Sequence, residues 1–205
     1  ADAADDDAKR ARTALERAEA QLRDCQDGLP GGAAAQREAQ KARLVEALAR
    51  QFPGVRGRVV DVCKPAQRKY AAAVGVACGA LGEAVVVDTR AAAVDCVRHL
   101  REHRLGVLTF LPLDALPAPR PDERLRTLGP KYKLALDVVT CDAAVRAAVA
   151  HAVGARTVVC ETLDDARAVA YDATGPSVKA VTLAGAVIAK NGTISGGHGG
   201  GAGGA

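Results

Sequence analysis

The segment EAVVVDTRAAAVDCVRHL (83–100) reads as a buried strand feeding an amphipathic helix. Val85, Val86 and Val87 form an unbroken apolar run, with no polar face left for water. The segment RTVVCETLDDARAVAYD (156–172) repeats the order of strand, acidic residue, threonine and helix. Thr162 and Asp165 are spaced as a capping box, in which side chain and backbone satisfy each other at the helix start. The echo predicts a mixed α/β (α+β) fold of two similar lobes facing one another.

Working outward, GRVVDVC (57–63) predicts a strand, AQRKYAAAVGVACGA (66–80) a helix and LTFLPLDAL (108–116) a strand-like segment. The link PAPRP (117–121) then separates the lobes. In the second lobe, YKLALDVVTC (132–141) reads as extended and DAAVRAAVAHAV (142–153) as helical. KAVTLAGAVIAKNGTI (179–194) reads as a β-hairpin turning at Lys190-Asn191-Gly192, because Asn and Gly tolerate positive φ. Upstream, Ala11, Leu15, Ala18, Leu22 and Cys25 alternate spacings of four and three, the seam of a coiled coil. GLPGGAAA (28–35) breaks that helix, and a second resumes near Gln36 with Leu44, Val45 and Leu48 on one face. The expected organisation is a broken helical arm over 1–51, a body over 52–197 with lobes of 52–121 and 122–197, and a Gly-rich tail, 198–205, expected to be disordered.

Ala and Val supply most of the 49% hydrophobic content, and the 205 residues hold two Phe, three Tyr and no Trp. The core is therefore expected to consist of many small side chains in close contact. With no Met in the sequence, the chain is expected to be processed or to be an excerpt of a longer one. The longest apolar run, 70–82, is too short to span a bilayer, so a soluble fragment is expected. Six cysteines lie apart without a CxxC pair and read as reduced core thiols of an intracellular protein.

The glycines of NGTISGGHGG (191–200) raise the question of phosphate binding, and the residues argue against it. His198-Gly199 stands where a phosphate loop needs Lys and Ser or Thr, and GVACGALG (75–82) is not GxGxxG. Cys96, His99 and His103 share one helical face, but Arg98, Arg101 and Arg104 surround them and oppose a dication, so no metal is expected. Cys160 or Ser195 with His151 or His198 lack any supporting local signature, and no enzyme is expected. Arg56, Arg58, Lys64, Arg68, Lys69, Lys131 and Lys133 are candidates for non-specific contact with DNA phosphates. The competing reading of that set is a solvated charged face. A small-molecule or nucleotide-binding α/β protein, using a crevice between lobes, stays open as the alternative.

FPGVRGRVVDVCKPAQRKY (52–70), VVVDTRAAAVDCVRHLREHR (85–104), TFLPLD (109–114), VCETLDDARAVAY (159–171) and GTISGG (192–197) together resemble the hinge domain of SMC (structural maintenance of chromosomes) proteins, in the cohesin branch of that family. The resemblance covers about residues 52–197. It implies a dimerisation module between antiparallel coiled-coil arms, with ATPase heads elsewhere in the full protein and no cofactor in this stretch. It also implies the hinge of the second cohesin SMC subunit as partner, with DNA a further one, and a place on the chromosome in the nucleus, in sister chromatid cohesion. By position, Gly185, Gly192, Gly196 and Gly197 are expected at the hinge–hinge contact, where a missing Cβ lets two backbones approach. Val187, Ile188 and Ile194, expected to be exposed, complete the apolar patch. Gly54 and Gly57 are expected in tight turns.

Overall fold

The computed structural model describes residues 32–117, 119–171 and 178–196. It divides the chain into two compact units, Ala1–Arg43 and Leu44–Ala205. The first is described over residues 32–43, which are helical. Helix α1 runs Gly32–Gln51, so the expected interruption does not extend over residues 32–35. The helix expected over 8–27 and the tail, 198–205, lie outside the described residues. In the second unit Val45 and Leu48 are buried at 4% and 1% exposure, as their spacing predicts.

The first half of the second unit is a three-stranded sheet of order β1-β3-β4, with β1 Val55–Arg58, β3 Val85–Val87 and β4 Phe110–Pro112. β3 and β4 are parallel, joined across helix α4, Arg90–Glu102. The second half is a five-stranded sheet of order β10-β9-β8-β7-β5, with β10 Ile194–Ser195, β9 Val187–Ile188 and β5 Lys133–Leu134. Its parallel pair, β7 Thr157–Cys160 and β8 Lys179–Thr182, is joined across helix α6, Leu163–Tyr171. Both strand–threonine–helix segments read from sequence are therefore present, and each continues into a parallel strand that completes a βαβ unit. Thr89 Oγ1 accepts from Ala92 N at 3.2 Å, and Thr162 Oγ1 accepts from Asp165 N at 3.1 Å. Each hydroxyl satisfies a helix-end donor that has no partner within its own helix.

Three local expectations are corrected. The strand read over 57–63 ends at Arg58, and Val59–Val62 forms a short helix, α2. β-branched residues favour a strand, but here β1 runs out of ladder. Arg58 pairs with Val85, the first residue of β3, and Val59 N donates to the carbonyl of Ala84 just before it. The helix read over 66–80 is narrower: a 3-10 turn, Arg68–Tyr70, leads into α3, Ala71–Cys78, followed by a second 3-10 turn, Gly79–Glu83. The extended run 132–141 is broken by a turn, Ala135–Asp137, into β5 Lys133–Leu134 and β6 Val139–Thr140.

β6 pairs antiparallel with β2, Lys64–Pro65, so a strand of each half joins the other. The core repeats that exchange. Val86 of β3 and Val159 of β7 meet in one shared cluster, with Val59, Ala73, Val74, Ala148 and Val149. Their strand neighbours point the opposite way, as period-2 alternation requires. Val85 and Val87 pack with Val45 and Ala93, while Val158 and Cys160 pack with Ala166 and Ile188. Helix α5, Arg146–Val153, lies within the shared cluster through Ala148, Val149, Ala152 and Val153. Apolar side chains of both halves thus meet in one cluster, and beside it the halves also bound a depression lined by Arg56, Asp61 and Lys64 from the first and by Thr140, Asp142 and Val145 from the second.

Candidate interaction site

The C-terminal meander builds the candidate site. β8 turns into β9, Val187–Ile188, and β9 into β10, Ile194–Ser195, making two turns where the sequence predicts one hairpin. In the first turn, Thr182 N donates to Ala186 O at 2.9 Å, and Ala186 N donates to Thr182 Oγ1 at 3.0 Å. Gly185 sits there at φ 86°, a conformation only glycine adopts freely. The second turn is the predicted Lys190-Asn191-Gly192, closed by Ala189 N to Thr193 O at 2.8 Å and by Thr193 N to Asn191 Oδ1 at 3.1 Å. Gly192 is at φ 83°, and Tyr171 Oη of helix α6 donates to its carbonyl at 2.7 Å.

β10 is the outer strand of the five-stranded sheet, pairing with β9 alone among the described residues. Ile194 is 50% exposed beside exposed Ser195 and Gly196. An exposed edge with an apolar side chain is a template for adding another chain's strand. Val187 and Ile188 do not contribute. They are 8% and 0% exposed, because Val187 faces the shared core and Ile188 the core under α6. The expected exposure of that pair is therefore corrected: β9 is covered on both faces.

Gly196 has its own local reason. A Cβ there would lie 3.1 Å from Ala186 Cβ and 3.5 Å from Ala186 Cα, so glycine permits β10 to approach the chain leaving the first turn. The close neighbour is intramolecular, whereas the sequence reading assigned that approach to a second subunit. Gly197 lies outside the described residues. Gly54 sits in a turn at φ 97°, as expected, whereas Gly57, at φ 113°, lies within β1 at its irregular register rather than in a turn.

The basic candidates are scattered and partly neutralised. Arg56, in the irregular register of β1, grips Asp88 through two 2.8 Å bonds, and its guanidinium holds the Asp88 carboxyl below its ordinary range. Arg58 is buried, donating to Asp61 at 2.8 and 3.0 Å and to Glu83 at 3.4 Å, so it is withdrawn from the set of DNA candidates. Lys131 pairs with Asp165 at 3.6 Å, and Lys69 lies 5.0 Å over the Tyr70 ring. Lys64, Arg68 and Lys133 are exposed. Arg56 and Lys64 line a depression of about 390 Å³ together with Asp61 and Asp142, which dilutes its positive charge.

Cys63, Cys78, Cys96 and Cys160 are buried free thiols, and Cys141 is half-buried. Burial pushes Cys160 up to about 12. Cys96 faces the core, and among the described residues no group of three His, Cys, Asp or Glu could hold a metal. Sequence reasoning missed Lys179. From β8 its Nζ donates 2.7 Å to Ala77 O and 3.5 Å to Val76 O, placing a cation at the carbonyl end of α3 in the other half. No periodicity signals such a contact, because 102 residues separate its partners.

With paired βαβ halves, a shared core and an open edge strand, the architecture is that of an assembly module. The chain belongs to the SMC proteins Flexible Hinge Domain family, whose profile matches residues 52–170. Among individual proteins, it is 40% identical over 166 residues to structural maintenance of chromosomes protein 1 of Arabidopsis thaliana, covering 81% of this chain and 13% of that protein. It is also similar to the asymmetric dimer of the Geobacillus stearothermophilus SMC hinge domain (TM-score 0.66, 27% identity, 89% of this chain and 82% of that one). A chain in the folded elbow of cohesin is similar as well (TM-score 0.67, 30% identity, 97% of this chain and 29% of that one). As a hinge domain, the chain is an assembly module and not a catalyst.

Proposed function

We propose that this chain is the hinge of an SMC1-type cohesin subunit and dimerises with the hinge of the second cohesin SMC subunit. The carrying observation is the edge of β10, where Ile194 is 50% exposed on a strand that pairs with β9 alone among the described residues. Likeness to a hinge that crystallises as a dimer and to a chain of cohesin supports the reading. In this reading the full-length protein carries ATPase heads beyond coiled-coil arms and acts on chromosomes in the nucleus, in sister chromatid cohesion. DNA contact is non-specific and secondary, carried by the exposed cations Lys64, Arg68, Lys69 and Lys133, with Arg56 and Lys131 partly neutralised.

Light scattering on size-exclusion eluate tests it, with this chain alone and mixed with the second subunit's hinge. A one-to-one complex is expected. Ile194→Asp is expected to weaken it by at least about tenfold, because a charge would sit at the core of the contact. Thermal stability should be retained, since the side chain is exposed. Separate monomer peaks at micromolar concentration, or a complex untouched by Ile194→Asp, would defeat this placement of the interface.

A further inference from the structure

Helix α4 buries Ala93, Cys96 and Leu100. Flanking that buried face on the exposed side are Arg90, Val94, Val97 and Arg101, at spacings of four, three and four, the rhythm of a helix–helix seam. At 100° per residue these four fall within about 60° of one another, so they form one stripe. Val94 is 53% and Val97 40% exposed, and both arginines are exposed. Valine at an exposed helix position sacrifices helix propensity and leaves apolar surface in water. Among the described residues neither the Arg90 nor the Arg101 guanidinium forms an ion pair, although the Asp114 carboxylate accepts from Arg90 N at 2.9 and 3.0 Å; Arg98 beside them is engaged by Asp95 at 3.5 Å.

A second observation points to the same end of the first half. The helix closes on Arg104, the one non-glycine at positive φ (53°) among the described residues. Leu105 N reaches back to Leu100 O at 3.0 Å, and Arg104 N to Arg101 O at 3.3 Å, a closing motif that usually takes glycine. Beyond it Leu105 is 42% and Val107 95% exposed. Apolar side chains are thus displayed on both sides of a strained turn.

We infer that the outer face of α4 is a docking surface for a short helix of another protein, one with apolar residues at its centre and acidic residues at both ends. The stripe dictates that chemistry. Two valines three residues apart offer an apolar strip about one turn long, flanked by arginines whose backbones stand about 16 Å apart along the axis. Arginine at both ends accepts the partner in either direction. Duplex DNA fits less well, since it would use the arginines and leave the valines in water. The surface lies on the three-stranded-sheet half, and β10 on the five-stranded one.

The test uses the full chain and a stapled peptide of about 14 residues, because an unstapled helix that short is marginal in water. The probe carries leucines at its centre and glutamates at both ends; a second peptide replaces the glutamates by lysines. Fluorescence anisotropy is expected to show saturable binding of the acidic probe and none of the basic one. Val94→Asp with Val97→Asp should weaken it at least about tenfold, and Arg90→Glu with Arg101→Glu should shift preference to the basic probe. These positions are exposed, and circular dichroism checks that each variant folds. The inference is overturned by absence of saturable acidic-probe binding, by binding indifferent to the valine changes, or by duplex DNA that outcompetes the probe and needs only the arginines.

Discussion

The two βαβ units answer the same local instructions and end in different surroundings. In both, a strand buried on both faces is followed by an acidic residue, a threonine cap and an amphipathic helix. In the first, Asp88 turns outward to Arg56, and the α4 N-terminus is held further by Asp114, whose carboxylate accepts from Arg90 N at 2.9 and 3.0 Å. In the second, Thr162 Oγ1 donates to Asp165 Oδ2 at 2.7 Å while accepting from Asp165 N, so the cap is reciprocal. Helix α4 runs 13 residues and exposes a valine stripe; α6 runs nine and ends on Tyr171, tied to the β9–β10 turn. Local sequence sets the unit, and what it meets sets its use. The first half presents a helix, the second a sheet edge.

The sharpest test of this pairing is the shared core. Val86→Ala and Val159→Ala should each cost about 2 kcal/mol, since both delete buried methyls from the cluster common to the halves. Urea unfolding of each variant is expected to remain a single transition by fluorescence and circular dichroism. Two separated transitions would mean the halves fold independently.

The caps come next. Thr162→Ala and Thr89→Ala should each lose about 1 kcal/mol. The loss at Thr162 should be the larger, because it also strips Asp165 of its hydroxyl donor. An equal or reversed order in denaturant midpoints would show that the reciprocal bond adds nothing.

Arg104→Gly should instead stabilise the chain by about 0.5 to 1 kcal/mol, by removing a left-handed non-glycine residue. A lowered melting temperature would mean the arginine side chain holds the turn.

The smallest effect is a pH dependence. Asp88 is depressed by its hydrogen bonds from Arg56, and Asp165 by that from Thr162. A folded value below the unfolded one, about 3.9, stabilises the chain above that pH, and the contribution is lost as pH falls through the lower folded value. The gap in unfolding midpoint between the wild type and Arg56→Gln should therefore be present at neutral pH and close in acid. A gap that persists below pH about 2 would assign Arg56 a packing role.

Much of the fold was legible where neighbours in sequence decide it: the valine runs, the threonine caps, the Asn-Gly turn, and Val45 with Leu48 on one helical face. At the candidate site the exposure of Ile194 and the turn at Gly192 were legible, whereas Gly185, read as a contact with a second subunit, sits in a turn of its own chain. The reading failed at Val187 and Ile188, because a two-residue strand carries no alternation to show that both its faces are covered. Arg58 misled for a related reason: its charge reads as surface, and only the approach of Asp61 and Glu83 permits its burial.

The sequence by itself determined the two strand–threonine–helix units, their order and the family they belong to. Those properties rest on residues within a few positions of one another, where backbone sterics, capping and periodicity act. The tertiary structure alone decided that β2 pairs with β6, that Lys179 reaches the end of α3, and that β1 stops at Arg58 and a helix begins at Val59. Each of these depends on a partner brought close only once the apolar faces of both halves have been buried against each other.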